Sequence, residues 1–222
     1  MQMDNDLESR LRQLTEFFLA ENAKVNLSAF RTEEKCWIGN VLDSLAAFDL
    51  VSSASNIVDI GTGGGFPLLP LAIALPEVRF TGIDSTQKKI DAIARIVTSL
   101  RFGGRNLELL CGRAEDLGRH FRETFDVATA RAVAEINVLL EYCSPFVKVD
   151  GKIILWKSMD VDQELKESER AQKEFRCSLK ERHVYELPGD FGKRQLLVFE
   201  KTGKLSSKYP RAVGVAKKNP IR

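Results

Sequence analysis

The sequence predicts an α/β fold: a mostly parallel sheet covered by helices on both faces, ending in an antiparallel hairpin and preceded by a helical extension. Three observations point there. Short β-type runs alternate with helical segments between residues 56 and 156, as in strand–helix–strand units. A glycine-rich turn, Gly61-Thr62-Gly63-Gly64-Gly65, separates the first β-type run from the first helix of that series. The last two β-type runs are joined by a short link of turn residues, Pro188-Gly189-Asp190-Phe191-Gly192-Lys193.

The elements follow in order. Leu7, Leu11, Leu14 and Phe18 recur at spacings of four, three and four, and Phe17 widens the stripe, which predicts an amphipathic helix over 7–21. Thr32 is an N-cap, with Glu33 and Glu34 in the first turn, for a second helix reaching about residue 48. These two make an N-terminal extension, residues 1–50. The core, residues 51–202, begins with a strand over 56–60 and a helix over 67–75, where Pro67 is tolerated because the first turn needs no N–H from it. A second strand over 78–83 closes on Asp84. Helix 88–100 follows, with Ile90, Ile93, Ala94 and Val97 on one face. Strands are expected at 107–110, 125–129 and 152–156, with a helix over 133–146 between the last two. Residues 160–175 read as a charged, solvated helix with a thin apolar stripe of Val161, Leu165 and Phe175. The hairpin strands are expected at 182–187 and 195–201. Residues 203–222 form a basic tail of the same single domain.

A chain of 222 residues, 44% hydrophobic and 29% charged, suits one globular domain with a sizeable core. The start is acidic and polar, and no signal peptide is visible in it. The longest apolar stretch, 66–76, has 11 residues interrupted by prolines and is too short to span a membrane. A cytoplasmic protein is expected. Cys36, Cys111, Cys143 and Cys177 lie far apart without a CxxC pair and read as reduced thiols. His120 and His183 sit among charged residues without ligand spacing, so no metal is expected. The net charge of +2 conceals an asymmetry: residues 193–222 hold nine lysines and arginines against one acid, Glu200, on an otherwise acidic body. That distribution suggests a polyanionic partner, RNA above all, against a tail that is basic merely for solubility.

The strongest signal is Val58-Asp59-Ile60-Gly61-Thr62-Gly63-Gly64-Gly65-Phe66. In an open parallel sheet, ligands bind outside the carboxyl ends of the strands, where this loop falls. Gly61, Gly63 and Gly65 can adopt positive φ and leave the backbone open to close approach. The dinucleotide frame GxGxxG fails: its sixth position is Phe66 counted from Gly61 and Leu68 counted from Gly63. Asp59, two residues before the first glycine, would repel a pyrophosphate but favour the cationic amino-acid end of S-adenosylmethionine (SAM). Asp84, 19 residues after Gly65, can accept hydrogen bonds from both ribose hydroxyls of an adenosine ligand. After the third strand, Arg113-Ala114-Glu115-Asp116 is placed to reach the adenine edge, unless Glu115 and Asp116 simply begin a helix. Together these favour SAM over a dinucleotide.

The chain resembles the bacterial glucose-inhibited division protein B (RsmG) family nearly end to end. The likeness is carried by Val25-Asn-Leu-Ser-Ala29, Val41-Leu-Asp-Ser-Leu45, residues 58–70, Gly112-Arg-Ala-Glu115, Thr129-Ala-Arg-Ala132, Tyr209-Pro-Arg211 and Lys217-Lys-Asn-Pro220. The resemblance implies a Rossmann-like class I SAM-dependent methyltransferase acting on guanine N7 of 16S rRNA in the small ribosomal subunit. It also implies SAM contacts at Gly61, Phe66, Asp84 with its neighbour Ser85, Ala114, Glu115 and Arg131. Three positions depart from the family pattern: Asn40 replaces a usual histidine, Leu68 a frequent glycine and Ser158 a common glycine. Asn40 bears on RNA affinity or target choice if that histidine touches RNA.

Guanine N7 carries a lone pair and no proton, so no general base is required, and no nucleophile constellation stands out. Arg131 and Lys157 are candidates for positioning the nucleotide; a salt bridge to a nearby acid is the competing reading of Arg131. RNA contacts are expected at Asn26 and Arg31, between the N-terminal helices, and along the tail at Lys208, Tyr209, Arg211, Lys217 and Lys218. Tyr209 either stacks on a base or packs on the domain. A monomer is expected. The rival readings are a SAM methyltransferase of a small molecule or protein, a non-catalytic rRNA-binding relative, and a nicotinamide oxidoreductase.

Overall fold

The computed structural model describes residues 3–101, 106–131 and 134–222. One seven-stranded sheet organises them: β1 Asn56–Ile60, β2 Arg79–Asp84, β3 Leu107–Cys111, β4 Phe125–Arg131, β5 Val147–Lys157, β6 Cys177–Leu187 and β7 Gly192–Lys201. Their order across the sheet is β3-β2-β1-β4-β5-β7-β6. β1 to β5 pair in parallel, while β7 runs antiparallel to both β5 and β6. The expected mostly parallel sheet with a terminal hairpin is therefore present. The hairpin enters the sheet by its second strand, leaving β6 at the edge. The order reverses at β1, which lies between β2 and β4, and this opens a crevice at the carboxyl ends of these strands.

Each face of the sheet has its own core. On one, Leu11, Leu14 and Phe18 of the first helix pack with Leu68, Leu69, Ile93 and Ile96. On the other, Leu139, Leu140, Cys143 and Phe146 pack with Phe175, Leu205 and Tyr209. The N-terminal helices thus complete the first core.

Boundaries moved where buried polar residues mislead a pattern of hydrophobicity. The first helix runs Asn5–Val25, capped by the Asp4 carboxylate on the Leu7 N–H. It continues past residue 21 because Glu21 and Asn22 are buried and paired: Glu21 accepts two bonds from Arg95, at 3.0 and 2.8 Å. Thr32 caps the second helical run as expected, but this run has wide π-type turns over Trp37–Leu42 and ends at Leu45. A separate turn of helix covers Phe48–Val51. The predicted helix over 133–146 is Ile136–Cys143; Val133 lies outside the described residues. The charged segment 160–175 is two helices, Asp162–Glu167 and Glu169–Glu174. Ser168 breaks it by turning its hydroxyl back onto the Leu165 carbonyl at 2.7 Å. Val161 and Phe175 of the expected stripe are buried, joined by Ala171, while most of the segment's charged residues face outward.

All four cysteines are free, and three are buried. Burial pushes the Cys36 thiol up to about 11 and the Cys177 thiol up to about 12, which keeps both protonated and unreactive.

Candidate active site

The glycine loop is shaped by the strands on either side. After β1, the N–H groups of Gly61 and Thr62 both donate to the Ile83 carbonyl of β2, at 2.8 and 2.9 Å. The turn then needs left-handed backbone at Gly63 (φ 57°) and Gly65 (φ 88°), a region that favours glycine. A Cβ on Gly63 would meet only the Gly61 carbonyl, at 3.7 Å, on the side where the cavity lies. A Cβ on Gly65 would strike Leu69 at 2.8 Å, so this glycine serves packing.

Asp84, buried at the end of β2, joins the two loops beside it. One oxygen accepts from the Gly63 N–H at 3.0 Å and the other from the Thr86 N–H at 2.9 Å, with Lys89 3.7 Å away. The carboxylate therefore lies across the crevice that β1 and β2 open.

A cavity of about 620 Å³ occupies that crevice. Of the residues expected at a cofactor, Gly61, Gly63, Phe66, Asp84, Ser85, Ala114, Glu115 and Arg131 line it. Asp59 and Gly65 do not; they lie behind the lining. Asp59 is buried, with one oxygen taking the Thr129 hydroxyl at 2.8 Å and Oδ2 without a hydrogen-bond partner among the described residues. Burial raises its carboxyl to about 6, against the Thr129 hydrogen bond. An orphaned acid behind a glycine loop, a buried acid on the cavity floor and open backbone at Gly63 fit a ligand with a cationic end and sugar hydroxyls.

Glu115 stands in the first turn of the helix Ala114–His120, so it both begins a helix and faces the cavity. It is buried, and its Oε1 accepts from the Gly214 N–H at 2.9 Å.

Arg131, at the end of β4, reaches into the helical extension. Its guanidinium donates to the Gly39 carbonyl at 3.0 Å, Asp43 Oδ2 at 2.9 Å and Asn40 Oδ1 at 2.7 Å. The competing salt-bridge reading of Arg131 is thus present, at a residue that also lines the cavity. Asp43, 1% exposed, additionally accepts from the Tyr185 hydroxyl at 2.6 Å and lies 3.7 Å from Arg194. Asn40, at the position of the family histidine, is buried and holds Arg131.

Lys157 does not line the cavity. Its ammonium is tied to Glu164 at 2.6 Å and to the Ala134 carbonyl at 3.0 Å. It ties Ala134, just after β4, to Glu164 of the helix Asp162–Glu167.

The expected RNA contacts divide in two. Asn26 caps the first helix in a left-handed conformation and hydrogen-bonds Arg31; both belong to the loop whose Leu27, Ser28 and Phe30 line the cavity mouth. Lys217 and Lys218 are exposed, and among the described residues neither has an ion pair. Three tail residues are engaged within the fold. Tyr209, 6% exposed, packs edge-on against Phe175 at 4.9 Å and donates to Glu174 at 3.1 Å, so its ring is not free to stack. Arg211 forks onto the buried Glu141 carboxylate, with bonds of 2.8 and 2.5 Å. Lys208 pairs with Glu174 at 2.5 Å, although it remains exposed. Sequence charge does not show this pairing: Arg211 folds against the buried Glu141, and Lys208 against the partly exposed Glu174. Lys201, counted among the basic residues, is fully buried on Glu123 and two carbonyls.

Further residues of the site carry no local sequence signal, four of them prominent. Asp43 stands in the Leu-Asp-Ser-Leu landmark, but nothing local announces its partners. Asn22 holds the loop at the mouth by accepting from Leu27 and Ser28 and donating to the Ser28 and Phe30 carbonyls. Tyr142 and Arg194 complete the lining from elements distant in sequence.

No helix among the described residues is long and apolar enough to cross a membrane, and among them no group of three His, Cys, Asp or Glu could hold a metal.

The fold is similar to solved methyltransferases. An O-methyltransferase from Bacillus cereus in complex with SAH superposes with a TM-score of 0.60 at 20% identity, over 85% of this chain and 90% of that one. TYW2 from M. jannaschii in complex with AdoMet does so at 0.56 and 14%, over 73% and 76%. At these identities the likeness concerns the fold alone. The sequence goes further. A ribosomal RNA small subunit methyltransferase G from Carboxydothermus hydrogenoformans is 41% identical over 91% of this chain and 87% of its own length. One from Leuconostoc mesenteroides is 39% identical over 93% and 87%. The family model described as rRNA small subunit methyltransferase G matches residues 7–196, and the chain belongs to that family.

Proposed function

We propose that this chain transfers the methyl group of SAM to N7 of a guanine in 16S rRNA of the small ribosomal subunit, acting as a cytoplasmic monomer. Family membership supplies the reaction class and the substrate. The observation that carries the site is the convergence of the glycine loop, Asp84 and Glu115 on one cavity whose inner wall ends at Arg131.

Asp84 holds the ribose hydroxyls, Ser85 and Ala114 flank the nucleoside, and Glu115 faces the adenine edge. Gly61, Gly63 and Phe66 line the path to the amino-acid end, while Asp59 behind them supplies negative potential. When bound, SAM provides a methyl group on a sulfonium, already activated as a leaving group. The remaining work is alignment: holding guanine N7 in line with the methyl carbon and excluding water, which accounts for ~7–11 kcal/mol in well-oriented reactions. Arg131 fixes the inner wall for that purpose, and Lys157 braces the segment behind it. Asn26 and Arg31 at the mouth, with Lys217 and Lys218 on the tail, meet the RNA backbone.

The test is methyl transfer from labelled SAM to small subunits that lack the modification, beside bare RNA, total protein and small metabolites. Label in small-subunit RNA, with the chain scission diagnostic of 7-methylguanine, is the expected result. Label in protein or metabolites would retain the methyltransferase and discard the RNA substrate. RNA binding without any transfer would leave a non-catalytic relative.

A further inference from the structure

The basic tail does not trail from the domain. Residues 205–214 cross the outer side of two helices, Ala114–His120 and Ile136–Cys143, and each of these contributes a side chain to the cavity, Glu115 and Tyr142 respectively. The crossing is fastened along its length. Arg122 donates to the carbonyls of Leu205 at 2.6 Å and Tyr209 at 2.8 Å, and Arg119 to that of Pro210 at 3.0 Å.

Arg211 is the strongest fastening. Its backbone N–H and its guanidinium both bind Glu141, a carboxylate on a residue 1% exposed and adjacent to Tyr142 in the chain. Three residues later, the Gly214 N–H ends on Glu115 Oε1 at 2.9 Å. Gly214 has φ 80°, which turns the chain into that contact. The strap therefore connects a buried ion pair on one cavity helix to a cavity-lining carboxylate on the other.

We propose that Arg211 is a positioning residue for the cofactor pocket: by pinning the strap to Glu141 it holds the Gly214 N–H against Glu115 and sets the carboxylate that faces the adenine. The tail then acts on SAM through its uncharged backbone, and on RNA through Lys217 and Lys218 beyond it. This inference rests on the cavity being the SAM site.

The test measures SAM binding by calorimetry on the full chain, with Arg211→Ala, Arg211→Lys, Glu115→Ala, the double variant Arg211→Ala/Glu115→Ala and Lys217→Ala/Lys218→Ala. Arg211→Ala is expected to weaken SAM binding about tenfold, within the usual range for coupled sites. Arg211→Lys, which keeps the charge but not the fork, should lose less. The decisive reading is the double variant: if Arg211 acts through Glu115, removing both costs no more than removing Glu115 alone. Loss of Lys217 and Lys218 should leave SAM binding unchanged. Thermal melting identifies folded variants, and if Arg211→Ala does not fold, Arg211→Lys carries the comparison. Unchanged SAM affinity in a folded Arg211 variant, or losses that simply add in the double variant, would overturn the strap. A wild-type chain that bound no SAM would instead remove the cofactor reading on which the strap depends, a distinct result from the same titration.

Discussion

Arg131 and Asp43, 88 residues apart in the chain, form a 2.9 Å ion pair that joins the end of the central strand β4 to the helical extension. Asp43 is 1% exposed, so its hydrogen bonds come from Arg131 and Tyr185 rather than from water.

Arg131→Ala should therefore cost stability as well as activity. Truncating one partner of a buried pair costs ~3–5 kcal/mol. Tyr185 and Arg194 remain near Asp43, which places the expected loss at the lower end, about 3 kcal/mol. Urea unfolding checks it. If alanine at both Arg131 and Lys157 left turnover on small subunits unchanged, their positioning role would be refuted.

Asp84→Ala removes two backbone contacts and the proposed ribose acceptor. SAM affinity should fall at least about tenfold, since one hydrogen bond to a charged group is worth ~1.5–3 kcal/mol. Calorimetric titration against wild type decides, and equal affinities would exclude Asp84 from the cofactor site.

Asp59 predicts a pH dependence of stability. Burial raises its carboxyl from 3.8 to about 6. Between those values the folded chain keeps a proton that the unfolded chain has released. Stability from this group is fully present below about pH 4 and lost as pH rises through about 6. Asp59→Asn should remove that loss, so the variant gains stability relative to wild type at pH 7.5 compared with pH 5. Denaturation curves for both proteins at the two pH values measure it; a difference independent of pH would be inconsistent with the shifted group.

Tyr209 should behave as a core residue. Tyr209→Phe keeps the edge contact with Phe175 and loses only the hydroxyl bond to Glu174, a cost of ~1 kcal/mol. Tyr209→Ala should cost several times more, about 3 kcal/mol. RNA affinity of the folded Phe variant should match wild type, as should that of any folded Ala variant; weaker RNA binding at unchanged stability would restore the stacking role.

Lys217 and Lys218 should report on phosphate contact. Replacing both by alanine should flatten the plot of log affinity against log salt by ~1.4–1.8 if each neutralises one phosphate. Filter binding of small-subunit RNA across a salt series gives the slope.

The strand-and-helix alternation was legible, as was the acid at the end of β2, because periodicity and turn chemistry are local properties. Strand β1 matched its expected span, Asn56–Ile60. Strand β5 came out longer than expected, Val147–Lys157, because its start, Val147-Lys148-Val149-Asp150, is short, mostly exposed and set apart by Gly151 from the buried run over 153–156. Of the ten expected cofactor residues, two are absent from the lining: Asp59, held in β1 against the Thr129 hydroxyl, and Gly65, packed against Leu69.

By itself, the sequence determined the α/β architecture, the glycine loop with its open backbone, the placement of Asp84 at the end of β2 and that of Glu115 in the helix after β3. The tertiary structure alone decided which charges remain available. Arg211 and Lys217 look equivalent in the chain, yet one is bound to Glu141, 70 residues earlier, and the other is exposed. Local pattern selects backbone conformation and the face to be buried. Whether a charge meets solvent, RNA or a buried acid depends on which distant side chain the fold brings within about 3 Å and on how much water leaves with it.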